Sequence, residues 1–260
     1  ALDLYTRGAE SWTVLRGIHE ARVYSRPHEV IDMQVGDLKL YNVVLWSLPT
    51  GRLKEGRRPI HGVIGGDILA RSMVIDIDRD AGLVKLTVGP HFRPPEGARR
   101  VPTLAYHTFL VASRVDGRPL ALLVDLAAKT SALWPRVLAR MGLTADSSGE
   151  VVVDSFGNQV AAGGSVRARA IEIDGVALDD VRFLAFEPNP YLKTITYDGI
   201  LGQNVLARFR TIVDLDSWTL WLAPRANDLA STTPARLRRW GGRFAACENA
   251  GSDKHAVSDS

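Results

Sequence analysis

The sequence predicts an all-β protein made of two homologous lobes with few short helices. The first observation is an internal repeat: residues 62–75 and 199–212 share the pattern Gly-x-x-Gly-x-x-x-Leu-Ala-Arg without a gap, so that Gly62 corresponds to Gly199. The repeat continues upstream, where residues 31–36 correspond to residues 170–175. The second observation is that short alternating or apolar runs, separated by turn residues, fill most of each copy, as is typical of strands. Together they indicate a duplicated β-fold.

Hairpins are the clearest local elements. The pair Asp116-Gly117 joins two apolar runs, residues 108–115 and 119–124, and Asp-Gly between such runs predicts a tight turn. A second hairpin is predicted further along the chain, with Gly157 at its tip.

Helices are few. Residues 132–141 carry apolar side chains at helical spacing, with Pro135 suited to a first turn and Gly142 suited to a stop. Short helical turns are also predicted after the repeated glycines, at residues 68–71 and 205–208.

Three regions follow from this organisation. Residues 1–98 form the predicted N-terminal lobe, and residues 99–226 form the predicted C-terminal lobe, with a Pro-rich linker near residues 93–100. From residue 227 to residue 260 the chain is a polar tail.

Composition argues against several classes of protein. The formal net charge of +3 is too small to predict nucleic-acid binding, and the Arg-rich stretch at residues 236–243 is interpreted as a solvated tail. The single Cys247 excludes an intrachain disulfide and a cysteine-based zinc site. The histidines also lack zinc-site spacing, so neither a metal nor a cofactor is expected. No apolar run reaches the roughly 18 residues that a membrane helix needs. Neither compartment nor oligomeric state is indicated.

One segment has the pattern of a catalytic loop. An apolar run ends at Asp125, which is followed by Leu126 and Ala127. Further along lie Ser131, Ala132, Leu133, Pro135, Gly142 and Leu143, then the Asp-Gly-Ile-Leu-Gly of residues 198–202, and residues 63–65 repeat its hydrophobic-hydrophobic-Gly part as Val-Ile-Gly. This order resembles that of bacterial two-lobed aspartic proteases of the retropepsin and pepsin type. The resemblance covers residues 1 to about 224, and it implies that each lobe is a β-barrel of the aspartic-protease type.

The resemblance also implies a peptidase with its site in a cleft between the lobes. In this family two carboxylates share one proton: the ionised one takes a proton from water and the protonated one donates to the substrate carbonyl. Asp125 corresponds to one member of this pair, and a peptide or protein substrate lies in the cleft as an added strand. The implied ψ-shaped element behind the loop comprises Ile64, Gly65, Asp198, Gly199, Leu201 and Gly202, and the implied flap comprises Gly17, Phe156 and Gly157.

The loop departs from the family pattern at two positions. Leu126 stands where the family has Thr or Ser, whose hydroxyl ties the two catalytic loops together. Ala127 stands where the family has Gly. Asp125 itself is retained.

The second catalytic Asp is the other departure. The repeat places the counterpart of Asp125 upstream of Ala1, so we expect that the upstream catalytic-loop segment is absent from these residues. An alternative pairs Asp3 with Asp125. The stretch from Asp3 to Gly17 is then less than half as long as the stretch from Asp125 to Gly157, which leaves no room for the intervening helix.

Three functions therefore stay open on the sequence. The first is hydrolysis of peptide bonds by a carboxylate-activated water. The second is a catalytically degenerate relative that binds a peptide or protein. The third is non-peptide chemistry in which Asp125 alone acts as acid or base.

Overall fold

The protein is mostly β-structure with few short helices, as the sequence predicts. The predicted flap residues Gly17, Phe156 and Gly157 lie outside the described residues, as do Asp3 and the polar tail. The computed structural model describes residues 7–8, 13–16, 22–36, 38–47, 54–55, 57–69, 73–88, 91–105, 108–147, 149–153, 159–186 and 197–225.

The elements follow one another in chain order. Those before residue 99 are β1 (Arg7–Gly8), β2 (Thr13–Arg16), β3 (Arg22–Ser25), β4 (Pro27–Val35), β5 (Leu38–Trp46), β6 (Lys54–Glu55), β7 (Arg58–Pro59), α1 (Gly66–Leu69), β8 (Met73–Asp78) and β9 (Leu83–Val88). Those from residue 99 onward are β10 (Arg99–Ala105), β11 (Thr108–Val115), β12 (Arg118–Val124), β13 (Ala132–Leu133), α2 (Pro135–Met141), β14 (Val151–Val153), β15 (Gln159–Ala161), β16 (Ser165–Ile173), β17 (Val176–Ala185), β18 (Gly199–Leu201), α3 (Gln203–Leu206), β19 (Arg210–Asp214) and β20 (Thr219–Ala223).

Six strands of the second half close into a barrel. β11 pairs with β12, β12 with β18, β18 with β13, β13 with β17, β17 with β16, and β16 pairs back to β11. Its core contains Val111, Leu122, Ile171, Phe183 and Leu201, each with 0% of its surface exposed. The removal of this apolar surface from water stabilises the ring, and closure leaves these strands without a free edge.

The helix predicted for residues 132–141 is shorter than expected. Ala132 and Leu133 form the barrel strand β13, and α2 begins only at Pro135. The residue before a proline disfavours helical backbone, and Trp134 is accordingly extended, with φ −70° and ψ 142°. The predicted stop is confirmed, because Gly142 closes the helix with a left-handed φ of 69°.

A shared sheet joins the two halves of the chain. β8 pairs antiparallel with β19, so that residues 74–77 lie opposite residues 211–214. On one side of this pair β9 pairs with β8. On the other side β20 pairs with β19, and β10 pairs with β20. Across this junction Arg210 donates two hydrogen bonds to Asp76, from Nε to Oδ1 at 2.9 Å and from Nη2 to Oδ2 at 2.6 Å. Backbone pairing and a bidentate ion pair therefore both connect the halves.

The two long hairpins, β4–β5 and β16–β17, have the same construction. In both, the two strands pair over almost their full length. Each contains a non-glycine residue of left-handed φ at the corresponding position of its second strand, Asn42 at 53° and Asp180 at 55°. The sequence repeat instead matches Gly36 with Gly175, which is one position away from the alignment that the structure gives. The pairing instead places Gly36 first in its two-residue turn and Gly175 second.

Candidate active site

Asp125 directly follows β12 at one end of the barrel. Its backbone N–H donates to the carbonyl oxygen of Leu201 at 3.0 Å. Its side-chain Oδ1 accepts hydrogen bonds from the N–H groups of Ala127, at 2.8 Å, and Ala128, at 3.0 Å. Within the described part of the chain, no hydrogen bond reaches Oδ2. The loop thus fixes the orientation of the carboxylate and leaves one oxygen able to accept a proton or bind water.

The short strand β18 runs between the two strands that enter and leave this loop. It pairs parallel with β12 and antiparallel with β13, which gives the outline of the letter ψ. A Cβ added to Gly199 would overlap the carbonyl oxygen of Ala132 and lie 3.0 Å from Leu133 Cδ2. Only glycine fits at this close approach of strands. Leu201, two residues on, is fully buried in the barrel core.

The residues after β18 hold the loop by its backbone. A Cβ added to Gly202 would lie 2.8 Å from the carbonyl oxygen of Ala128, so the absence of a side chain permits the close approach of Gly202 to the backbone of the loop. The N–H of Gln203 donates to the same oxygen at 2.8 Å, and the N–H of Asn204 donates to Lys129 O at 3.2 Å. The first turn of α3 therefore caps the carbonyl groups of the Asp125 loop.

A buried polar network closes the far end of the loop. Ser131 is fully buried, and its Oγ donates to Asn204 Oδ1 at 2.7 Å and accepts from the N–H of Gly202 at 2.9 Å. Asn204 Nδ2 donates in turn to the carbonyl oxygen of Arg182 at 2.8 Å. Each group in this network has a partner, so the network rigidifies the loop instead of weakening the core.

The two departures from the family pattern occupy different environments. Leu126 is half-buried and packs against the barrel core, while its carbonyl oxygen accepts a hydrogen bond from Gln203 Nε2. Ala127 is exposed. The loop thus has no hydroxyl at residue 126, and a side-chain amide from α3 bonds its backbone.

Asp198 does not lie beside Asp125, although the sequence pattern predicts that it belongs to the element behind the loop. Its Oδ2 accepts from the N–H of Ala121 at 2.9 Å, and its Oδ1 accepts from Arg140 Nη2 at 2.9 Å. Ala121 is four residues before Asp125 on an extended strand, about 13 Å away. Asp198 therefore ties α2 to the middle of β12, whereas Leu201 and Gly202 are the residues next to the loop.

The first-half counterparts, Ile64 and Gly65, lie in a less enclosed setting. The carbonyl oxygen of Gly65 accepts from the N–H groups of Ile68 and Leu69 at the start of α1, much as Gly202 does at the start of α3. Residues 62–64, however, pair with no strand of the described residues. Ile64 is 45% exposed, against 0% for Leu201.

A hairpin stands where the second-half flap is predicted. β14 and β15 pair antiparallel on either side of residues 154–158, which include the predicted tip residues. Val152 and Val160 pack against the main core, while Val151 and Val153 are 50% and 52% exposed. The hairpin therefore has one anchored face and one free apolar face.

Two residues near the loop were not predicted from the sequence. One is Gln203, which only its three-dimensional contacts identify. The other is Tyr197, whose ring centroid lies 5.6 Å from that of Trp134. Burial raises the pKa of Tyr197, and the negative charge of Asp125 raises it further. Its position just before the predicted ψ residues was the one available sequence signal.

The described ranges contain neither a metal centre nor a membrane-spanning helix. They hold no group of three or more His, Cys, Asp or Glu side chains placed to bind a metal ion. No described helix is long and apolar enough to span a membrane.

Comparison with known proteins finds similarity to aspartic proteases over part of the chain. No curated protein matches the chain. A retropepsin-like aspartic protease from Rickettsia conorii is 17% identical, with a TM-score of 0.37 over 48% of this chain and 89% of that chain. A retroviral protease-like domain from Leishmania major is 19% identical, with a TM-score of 0.31 over 48% of this chain and 96% of that chain. Residues 111–205, which contain Asp125 and the strands around it, match the family model described as aspartyl protease.

Proposed function

We propose that the protein is an aspartic-type peptidase in which Asp125 activates a water molecule for attack on a peptide bond. The observation that carries this proposal is the state of the carboxylate. Two backbone amides fix Oδ1, and Oδ2 has no hydrogen-bond partner among the described residues. An oriented carboxylate with one free oxygen can act as a general base toward water. The similarity of residues 111–205 to aspartyl proteases supports the same assignment.

The substrate in this proposal is an extended peptide or protein segment. The hairpin β14–β15 serves as the flap, because its anchored face leaves Val151 and Val153 free for contact with a ligand. An extended peptide satisfies its backbone groups by adding as a strand, and alternate side chains then contact apolar surface.

We further infer that the chain arose by duplication of one lobe and that the cleft lies between the two copies. The equal construction of the hairpins β4–β5 and β16–β17 supports this inference. So do the equivalent positions of α1 and α3 in the repeat, each of which follows a glycine. Residues 62–64 then correspond to β18, with the difference that no described strands enclose them.

The peptidase proposal requires a second carboxyl group to protonate the substrate carbonyl. A coupled pair of carboxyl groups gives a bell-shaped dependence of kcat/KM on pH, with two apparent pKa values that belong to the pair. A single acting carboxylate gives one ionisation on the acid side. The pH profile of any measured hydrolysis therefore separates the dyad mechanism from chemistry by Asp125 alone.

A second candidate function is peptide binding without hydrolysis. Leu126 favours it, because its apolar side chain packs against the core and cannot make the hydroxyl tether that links the catalytic loops in the family. A loop that retains its shape but lacks this link suits recognition of an extended peptide without turnover.

The deciding experiment is a paired assay of turnover and unfolding on Asp125→Asn. The amide is nearly isosteric and its oxygen can still accept from Ala127 and Ala128, so the melting temperature should stay close to that of the wild type. Cleavage of a denatured protein at acid pH should disappear. Asp179→Asn, at an exposed carboxylate, is the matched control and should leave cleavage intact. Full activity in Asp125→Asn with a lowered melting temperature would exclude the catalytic role.

A second experiment restores the family residues by the double change Leu126→Thr and Ala127→Gly. If the protein is a peptidase, cleavage should rise or be preserved. If the cleft has been adapted to another chemistry, the native activity should be abolished. No effect in either assay would show that this loop is not the functional centre.

A further inference from the structure

We propose that Gln203 and Arg79 are positioning residues that together connect the Asp125 loop to the opposite half of the chain. This inference rests on the proposed function only for its catalytic consequence. The positioning itself can be measured without turnover.

Gln203 contacts the loop at two points. Its backbone N–H donates to the carbonyl oxygen of Ala128 at 2.8 Å. Its side-chain Nε2 donates to the carbonyl oxygen of Leu126, the residue next to Asp125. The two contacts lie on either side of Ala127, whose N–H donates to the Asp125 carboxylate. A shift of the Gln203 amide would therefore move the backbone that orients this carboxylate.

Arg79 fixes the other end of the Gln203 side chain. It belongs to the turn between β8 and β9, and its Nη2 donates to Gln203 Oε1. That turn is itself held, because Asp78 Oδ1 accepts from the N–H groups of Asp80, at 3.1 Å, and Ala81, at 3.0 Å. The result is a continuous chain of hydrogen bonds from the first half of the protein to the loop of the second.

Stability alone gives little reason for this arrangement. Burial lowers the pKa of Arg79, and the nearby positive charge of Arg225 lowers it further. The Nη1 atom of Arg79 is buried without a hydrogen-bond partner among the described residues. Partial burial of a guanidinium with one nitrogen atom unpaired carries a cost in stability. The cost is explained if the hydrogen bond from Arg79 serves to fix the position of the Gln203 side chain.

The bridge, which consists of Arg79 and Gln203, contacts the loop at residue 126, where the family pattern has a hydroxyl. In the family pattern the hydroxyl at this position ties two catalytic loops together, whereas Leu126 offers only its carbonyl oxygen, and Gln203 bonds that atom. The counterpart of Gln203 in the internal repeat is Gly66, which has no side chain. The bridge is therefore built from one side only.

The test is hydrogen exchange of the loop amides, followed by mass spectrometry, in Gln203→Met and Arg79→Met. Both changes keep side-chain volume and remove the bonding groups. The amides of Ala127 and Ala128 should exchange about fivefold faster in each variant, which corresponds to the loss of one hydrogen bond. Arg79→Lys keeps a donor and should restore part of the protection. Arg167→Met, at an exposed arginine, is the control and should change nothing in the loop.

Three results would overturn the proposal. Unchanged exchange of the loop amides in both methionine variants would show that neither residue positions the loop. Faster exchange in Gln203→Met alone would show that Arg79 does not anchor Gln203. An equal acceleration in the β16–β17 hairpin would show a general loss of stability instead of positioning.

Turnover provides the second readout. If a substrate that the protein cleaves is found, both methionine variants should lower kcat by a larger factor than they change KM. The reason is that the misplaced group, the Asp125 carboxylate, acts on the reacting bond. A reversed ratio would overturn the positioning role. If the wild type cleaves no substrate, the proposed function fails, while the exchange result still shows whether Gln203 and Arg79 position the loop.

Discussion

The threading of β18 through the Asp125 loop can be tested by the single change Gly199→Ala. Gly199 is enclosed by β12 on one side and β13 on the other. An added Cβ would overlap the carbonyl oxygen of Ala132. This oxygen belongs to backbone, so no side-chain rotation relieves the overlap and β13 itself must move.

The size of the effect follows from what holds β13. Overpacking in a close-packed interior costs about 1–3 kcal/mol. Movement of β13 also strains the hydrogen bonds on its flanks, from Leu184 N–H to Ser131 O at 2.9 Å and from Trp134 N–H to Asp198 O at 3.1 Å. Loss of one such bond adds about 1 kcal/mol. The free energy of unfolding should therefore fall by about 2–4 kcal/mol.

The assay is urea unfolding followed by tryptophan fluorescence, with Gly62→Ala as the matched control. Gly62 is the counterpart of Gly199 in the internal repeat, and a Cβ there meets nothing within 4 Å. Alanine at such an open site should change the free energy of unfolding by no more than about 0.5 kcal/mol in either direction. An equal effect of the two changes, or a loss below about 0.5 kcal/mol for Gly199→Ala, would refute the threaded arrangement.

Two further predictions concern charge. The raised pKa of Tyr197 means that its contribution to stability is fully present below about pH 10, the ordinary tyrosine pKa, and is lost as the pH rises through the folded-state pKa. Asp125→Asn should lower the pKa of Tyr197, which is measured as the difference in alkaline absorbance between proteins with and without Tyr197→Phe. An unchanged pKa would show that Asp125 does not act on Tyr197. Arg210→Met should lower the free energy of unfolding by about 2 kcal/mol because it leaves the buried Asp76 carboxylate unpaired. This figure is smaller than the full penalty for an unpaired buried charge, since the guanidinium is 34% exposed. Arg167→Met, in an exposed ion pair, should leave the melting temperature unchanged, and an equal effect of the two changes would contradict the argument.

Much of the second half could be predicted because its signals are local. The turn Asp116-Gly117 joins β11 and β12 as expected, since a two-residue loop needs left-handed backbone, which both residues adopt. Gly142 ends α2 for a similar reason. In each case the conformation depends on a few neighbouring residues, which a sequence displays directly.

The candidate site was only partly predictable for the opposite reason. Asp125 could be identified from the apolar run before it and the residues after it. Asp198 belongs to the same sequence pattern, yet the parallel pairing of β18 with β12 places Asp198 beside Ala121, in the middle of β12 and about 13 Å from Asp125. Gln203 had no local signal, because its role depends on Arg79, which is 124 residues away along the chain.

The sequence is sufficient to predict the mostly β composition of the protein, the hairpins and helix stop described above, and the candidate carboxylate. These follow from side-chain periodicity, turn chemistry and a short motif, all of which act over a few residues. Three features are visible only in the folded chain: β18 passes between β12 and β13, Ala132 and Leu133 are strand instead of helix, and Arg79 reaches the loop through Gln203. Those outcomes depend on which distant strands pair, and a pairing is fixed only when the whole apolar surface of the barrel is buried at once.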